Sequence, residues 1–444
     1  MTTPILTEAG APAAPSAPNT LPPTYALTAA QSDPNLLGWM KGHPPPLDKR
    51  VQQSDGSYFT FPKTRWAFSN TREIVPTSNI PRDGSPVSVL PLALRDDLDD
   101  VSCTVLGSDK RMTWGEAFDA NYTDGITVLH KGRVIYERYA GALTPSKQHW
   151  AFSVTKSFVG VLGAMRVFDG SLDPAKLIPH YIPELKDSAF GTATVRQVMD
   201  MTTSLQYLEN YADPNAEIWE HSRAGGLLPK PIDYTGEPSF YDYLPRVKLG
   251  AEYAGQHGQG FRYKTVNTDV LGWLLRRTAD DGKGERLGEQ ISQHLWSRLG
   301  CEQDAYITVD SAGTEFAGGG LHTALRDLAR FGEMMRQGGF YNGQQIVADA
   351  VIAGICQGAD ISHFASAGYD LLPGWSYQSM WWITHNEHGA YMARGIHGQA
   401  IYIDPKAEMV IARYASHPLA ANVHMDPTSL PAYHALAKHL INNP

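Results

Sequence analysis

The sequence predicts an α+β fold: one central antiparallel sheet flanked by helices and interrupted by a mainly helical insertion. Three observations predict it. Two β-branched runs fall early, within 125–139; two more fall late, at 399–404 and 409–414; and between them helical periodicity and loops replace strands. Strands at both ends with helices in the middle close into one sheet covered by the first and last helices. A chain of 444 residues also exceeds what a single core usually organises. The expected division is an Ala/Pro-rich disordered tail over 1–30, a sheet unit built from 31–169 with 300–444, and a helical insertion over 170–299, with a groove between the two units as the natural site.

The elements follow in order. Residues 31–120, with Pro44-Pro45-Pro46 and many turn formers, read as a wrapping segment without repeats. The runs around Lys131-Gly132 read as an antiparallel hairpin. Val154, Phe158, Val161, Leu162, Met165 and Phe168 recur near helical spacing, and Gly160 and Gly163 permit close packing, so a buried helix is expected over 154–168. Further helices are expected at 194–201 and 268–279. The strands 399–404 and 409–414 flank a turn at Pro405, Met392 to Pro405 reads as containing an edge strand, and a helix over 430–441 closes the chain.

Composition excludes several functions. With 37 basic and 46 acidic residues the net charge is −9, and no basic run exceeds two residues, so nucleic acid and anionic membranes are not expected partners. Cys103, Cys301 and Cys356 are sparse, odd in number and without CxxC spacing, which argues against disulfides or a zinc site. The N-terminus lacks a charged-then-apolar leader and no run of about 18 apolar residues occurs, so a cytoplasmic protein is expected. Expected partners are a small amide or ester substrate and, at most, a second copy of the chain as a homodimer; no cofactor and no metal are expected.

The chemistry starts at Ser153-Val154-Thr155-Lys156. Residues i and i+3 share a helical face, so the lysine nitrogen can reach the serine hydroxyl and act as its base. The same residues also fit a surface lysine with Ser153 as a simple N-cap. Tyr263, ahead of the 268–279 helix, offers a phenol that could relay a proton or simply edge the core. Gly395 would let a ligand approach the backbone where Ile396 presents its N–H, while His397 reads as structural.

In this order the three stations resemble the serine β-lactamase and penicillin-binding-protein superfamily, whose signatures are S-x-x-K, a Tyr-x-Asn element and K-T-G. More closely the chain is similar to the 6-aminohexanoate-dimer hydrolase branch, the nylon-oligomer hydrolases and their esterase relatives. The resemblance runs from about Pro44 to the C-terminus through Arg65-Trp66-Ala67-Phe68, Asn210-Tyr211-Ala212-Asp213-Pro214, Asn267-Thr268-Asp269-Val270-Leu271, Ile307-Thr308-Val309-Asp310, Arg326-Asp327-Leu328-Ala329-Arg330, Gln378-Ser379-Met380-Trp381-Trp382 and Gly395-Ile396-His397-Gly398-Gln399. It implies a β-lactamase/DD-peptidase-like fold, Ser153 as nucleophile, Lys156 as base and Tyr263 as proton donor. Ser153 and Ile396 N–H would form the oxyanion hole, and Tyr211 would line the substrate cleft.

Departures from the pattern narrow the activity. Tyr263 is followed by Lys264-Thr265 instead of an asparagine two residues on, and Ala393-Arg394-Gly395 replaces K-T-G, which argues against penicillin recognition. Eleven residues past Tyr211, where the branch can carry an acid for a substrate ammonium, stands Ser222, next to His221, which implies weak activity on a linear aminohexanoate dimer. The implied function is cleavage of linear amides of 6-aminohexanoate oligomers or similar small amides. The alternatives are a carboxylesterase of short acyl esters and a non-enzymatic sensor with the penicillin-binding fold.

Other clusters carry less. His385, His388 and His397 lack the HExxH context of a metal site. Gly318-Gly319-Gly320 lacks a phosphate-loop context and reads as tight packing near the cleft. Trp375, Tyr377, Trp381 and Trp382 fit either a pocket lining, with Trp382 as a substrate-binding residue, or plain core.

Overall fold

The computed structural model describes residues 27–279 and 285–444, so nearly all of the expected tail lies outside the described residues. Its centre is a seven-stranded, wholly antiparallel sheet. In spatial order the strands are Ser376–Gln378, Trp381–Ile383, Tyr391–Gly395, Gln399–Asp404, Met409–Ala415, Thr123–His130 and Arg133–Tyr139. The two predicted strand pairs thus meet where Met409–Ala415 pairs with Thr123–His130. Both of these strands are buried along their whole length, because helices cover both faces of the sheet. Ile401 lies under Gly332 of the helix Leu325–Arg336. Its neighbour Tyr402 points the other way, onto Tyr433 of the C-terminal helix Asp426–Asn442, as strand alternation requires.

A second sheet was not foreseen. Thr77–Ile80, Ala305–Thr308, Leu321–Ala324 and Gln148–Trp150 form a four-stranded antiparallel sheet, where the sequence suggested only one. Its strands of three or four residues are too short to show a period of two. This small sheet matters for the site, since it delivers the chain from Trp150 directly into Ser153.

Two further expectations need correction. The segment ending at Gly395 is not an edge strand: Tyr391–Gly395 is flanked on both sides. Trp381–Ile383 pairs only with Tyr391 and Met392, however, so the last residues of the strand lack a partner on that side. The closing helix begins at Asp426, before the predicted start: Pro427 lies in its first turn, where a missing N–H costs little, and the Pro427 carbonyl that Pro431 cannot bond accepts Leu106 N–H at 2.8 Å.

The predicted helix Val154–Phe168 forms as expected. A Cβ on Gly160 would stand 2.1 Å from the Ser379 carbonyl oxygen, so glycine is what lets this helix press onto the turn between the first two strands of the large sheet. The Ser157 hydroxyl donates to Met380 O at 2.9 Å across the same contact. Among the described residues, 170–279 and 285–299 supply no strand to either sheet and hold the helices Val195–Met199, Glu217–Ala224 and Val266–Arg277. Thr194 caps the first of these through a reciprocal bond with Gln197. The apolar core runs without a break from the large sheet through Phe158 and Leu162 into Val198 and Leu271.

Candidate active site

Ser153 sits at the start of its helix, just after Phe152, whose φ of +45° is unusual for a bulky residue. Two bonds hold this turn: Thr155 Oγ1 donates to Phe152 O at 2.6 Å and accepts from Leu321 N at 3.0 Å. The local fold therefore presents the hydroxyl of Ser153 at the junction of the small sheet and the helix.

One turn on, Lys156 is 1% exposed. Its Nζ lies 2.9 Å from Ser153 Oγ and also donates to the Gly318 carbonyl. Burial brings its pKa down from 10.5 to about 8, opposed by the negative charges of Glu209 and Asp269. With a pKa of about 8, roughly a tenth of the lysine is neutral at pH 7, against well under a thousandth for a free lysine, and that form can take a proton from the serine. The surface-lysine alternative does not describe this residue.

Tyr263 approaches from the other side. The Lys156 nitrogen is 5.0 Å from its ring centroid, and Tyr263 and Ser153 border the same cavity. Burial, reinforced by Glu209, raises its pKa well above 10, so the phenol keeps its proton. The ring stacks on Trp382 with centroids 5.5 Å apart.

A network behind Lys156 was not legible in the sequence. Asp269 Oδ1 accepts Gly318 N–H at 2.9 Å, and Oδ2 lies 3.1 Å from His221 Nε2 without the alignment of a hydrogen bond. His221 Nδ1 meets Tyr207 OH at 3.0 Å. The residue whose carbonyl receives Lys156 is thus anchored at its N–H by a buried carboxylate beside an imidazole. Gly318 is obligatory here, since a Cβ would come within 2.3 Å of Thr265 Cγ2. The glycine triplet is a close-packing device at the cleft.

Gly395 and Ile396 lie beside the nucleophile turn. A Cβ on Gly395 would stand 2.7 Å from Ala151 O, so only glycine allows the strand end this close to Ser153. His397 follows with φ of +61°. It is fixed by its own N–H to Ala420 O and by Nδ1 at 2.7 Å from His417 O, and burial lowers its pKa to about 4. It is structural. Among the described residues neither Ser153 N–H nor Ile396 N–H donates to a protein acceptor, and both residues border the same open space.

That space has two chambers meeting at Ser153, Tyr211 and Ile396. The first, about 470 Å³, includes Trp150, Phe152, Trp219, Phe316 and Ser222. The second, about 420 Å³, includes Tyr263, Glu209, Tyr369, Trp382 and Arg394. Tyr211 therefore stands at the junction, its OH bonded to Glu209 Oε1 at 2.8 Å. Ser222 faces the first chamber, although its hydroxyl is turned back onto Ile218 O at 2.7 Å. Of the aromatic cluster, Trp382 lines the second chamber and Trp381 is fully buried core.

Glu209 is the functional candidate the sequence did not single out. Its carboxylate holds Thr265 N–H and Oγ1–H at 2.7 and 2.9 Å as well as Tyr211, and its charge bears on both Lys156 and Tyr263. Its position two residues before Tyr211 is the only sequence cue. The remaining histidines lie elsewhere: His385 Nε2 bonds Ser376 Oγ, and His388 Nδ1 bonds Asp404. Glu387, His388 and His434 place ligand atoms within 4.8 Å of one another, but Glu387 and His434 already pair at 3.2 Å and Asp404 takes one His388 nitrogen. Cys103, Cys301 and Cys356 are free thiols, and no helix of the described residues is long and apolar enough to cross a membrane.

Known proteins share this arrangement of chain. The sequence pattern of the Beta-lactamase family matches residues 121–428. A 6-aminohexanoate-dimer hydrolase from Paenarthrobacter ureafaciens is 33% identical over 360 residues, covering 80% of this chain and 86% of its own. A Bacillus anthracis structure provisionally named 6-aminohexanoate-dimer hydrolase superposes with a TM-score of 0.80 at 30% identity, covering 90% of this chain and 99% of its own. At the level of fold alone, a penicillin-binding-protein homologue from Caulobacter crescentus superposes with a TM-score of 0.54 at 14% identity, over 79% of this chain and 100% of its own. The antiparallel sheet with its covering helices and the extent of these matches agree: the chain belongs to the beta-lactamase family of hydrolases, in the branch that contains the 6-aminohexanoate-dimer hydrolases.

Proposed function

We propose that the protein hydrolyses small linear amides, of the kind found in 6-aminohexanoate oligomers, through an acyl-enzyme on Ser153. The observation that carries this reading is the buried Lys156 nitrogen, 2.9 Å from Ser153 Oγ and with its pKa brought down to about 8. The name of the Paenarthrobacter relative supports the amide class.

In this reading neutral Lys156 accepts the Ser153 proton as Oγ attacks the carbonyl. The developing oxyanion receives the N–H groups of Ser153 and Ile396, each worth about 10² to 10³ in rate at comparable sites. Tyr263, kept protonated by its surroundings, gives its proton to the departing nitrogen. An amide nitrogen leaves poorly without that proton, whereas an ester oxygen depends on it less. The protonated Lys156 then gives the proton it took from Ser153 to the Tyr263 phenolate, and water cleaves the acyl-enzyme. Tyr211, at the junction of the chambers, is placed to accept the scissile N–H on its phenol oxygen, since its own hydrogen is committed to Glu209.

A second reading, hydrolysis of short acyl esters, is favoured by the first chamber, which has no Asp, Glu, Lys or Arg in its lining. One experiment separates the two: mass-spectrometric detection of 6-aminohexanoate released from its linear dimer, in wild type and Ser153→Ala. Release lost in the variant supports the amidase; a folded wild type that releases no 6-aminohexanoate from the dimer or from its N-hexanoyl analogue, yet still cleaves a short acyl ester, replaces it with the esterase.

A further inference from the structure

The two chambers differ in chemistry, and the difference specifies a substrate. Only the second touches Tyr263, the proposed donor to the leaving group, so it receives the departing amine and the first receives the acyl group. The acyl chamber is walled by aromatic and aliphatic side chains around Asn210, Ser222 and Thr265. Its two histidines, His397 and His424, have lowered pKa values through burial. An ammonium placed there would find no countercharge, and an unpaired charge in such surroundings is strongly disfavoured.

The amine chamber holds Arg394, 5% exposed. Nη2 donates to Asp426 Oδ1 at 2.5 Å. Among the described residues this is the guanidinium's one protein hydrogen bond, and Nη1 is buried without an acceptor. Trp382 and Trp375 stand 4.9 and 5.7 Å from the guanidinium carbon, which fixes the group's plane while leaving its other donors free. Buried guanidinium donors ordinarily find partners, most effectively a carboxylate. The chamber's other acids have no bond to it: Glu209 is engaged by three donors from Thr265 and Tyr211, and Asp370 is at the exposed rim.

We infer that the site is built for N-acylated amino acids: an uncharged, apolar acyl group in the first chamber, and an amine whose carboxylate docks on Arg394 in the second. This rests on the amidase reading and makes it specific. It reverses the emphasis a linear aminohexanoate dimer would suggest, since that dimer carries its ammonium on the acyl half.

The test is a set of four amides: hexanoyl or 6-aminohexanoyl as the acyl group, joined to 6-aminohexanoate or to its neutral isostere 6-aminohexanamide. Release of the amine is followed by mass spectrometry. In wild type the carboxylate should exceed the carboxamide in kcat/KM by about tenfold or more, through KM, the factor expected of one charge-assisted bond. Hexanoyl should exceed 6-aminohexanoyl by a similar factor. Equal rates for carboxylate and carboxamide overturn the Arg394 assignment, and preference for 6-aminohexanoyl overturns the neutral acyl chamber; both leave the amidase intact. Arg394→Met alone would strand a buried Asp426, so the variant is Arg394→Met with Asp426→Leu. Its carboxylate preference should fall to near one, and an unchanged preference rejects docking on Arg394. Should wild type leave all four amides uncut, the amidase reading fails. The same comparison on the ester pair, hexanoyl on 6-hydroxyhexanoate or 6-hydroxyhexanamide, then decides Arg394 by the same ratio; a protein that cuts neither series overturns both.

Discussion

Replacing Lys156 by methionine should destroy activity and yet make the protein gain stability in a manner that depends on pH. The lysine pKa falls from 10.5 in the open chain to about 8 in the folded one, a shift of about 2.5 units. At about 1.36 kcal/mol per unit, holding a protonated lysine in this place costs the native state about 3 kcal/mol below pH 8. Between pH 8 and 10.5 the unfolded chain holds a proton that the folded chain lacks, so wild-type stability rises with pH. Above 10.5 both states are neutral and the cost is gone. Methionine carries no such term. The stability difference, variant minus wild type, should therefore be largest at pH 7 and close by about 2.5 kcal/mol by pH 10. Loss of the bonds to Gly318 O and Ser153 Oγ subtracts about 1 to 3 kcal/mol for the stranded carbonyl. That subtraction offsets the curve without changing its slope, and tyrosines and other titrating groups are common to both proteins. Urea midpoints at pH 7, 8, 9 and 10 measure it. Parallel stability curves across this range would refute a depressed Lys156 and with it the base assigned to Ser153.

Other expectations follow from the same site. kcat/KM on a short acyl ester should rise about tenfold per pH unit below about 8 and level off above it, as Lys156 loses its proton; a profile flat from pH 6 to 9 removes Lys156 as the base. Tyr263→Phe should lower amide hydrolysis by about 10² to 10⁴ and ester hydrolysis much less, measured on a matched amide and ester; equal losses would sink its role as donor. Gly395→Ala sets a methyl group 2.7 Å from Ala151 O, displacing Ile396 N–H, and should cost about 10² to 10³ in kcat, measured at a temperature where the variant is still fully folded. Gly160→Ala, 2.1 Å from Ser379 O, should instead destabilise by about 1 to 3 kcal/mol or more in urea denaturation.

The parts of this site that lie close in sequence were legible and the parts assembled across the chain were not. Ser153 and Lys156 are one helical turn apart, so spacing alone placed the amine beside the hydroxyl. The strand runs of the large sheet announced themselves by β-branched repetition. Tyr263, by contrast, reaches Ser153 from more than a hundred residues away, and Ile396 from still further; only resemblance could join them. Nothing local marks Asp269 as the acceptor for Gly318 N–H, or Asp426 as the partner of Arg394, because each pair is brought together by packing between elements. The four-stranded sheet escaped for a related reason: three-residue strands such as Gln148–Trp150 take their conformation from their neighbours.

Two chambers that meet beside the nucleophile have a consequence for the order of events. On the acyl-enzyme reading, the amine can diffuse out of its chamber while the acyl group still fills the other, so the first product leaves a covalent intermediate facing a vacated polar compartment. The fate of that intermediate belongs to whichever nucleophile enters next. Water yields the acid; a second amine that fits beside Arg394 restores an amide bond. The division of space that orients cleavage thereby also permits the reverse reaction, and the ratio of amine to water, more than any side chain, sets the direction in which the protein runs.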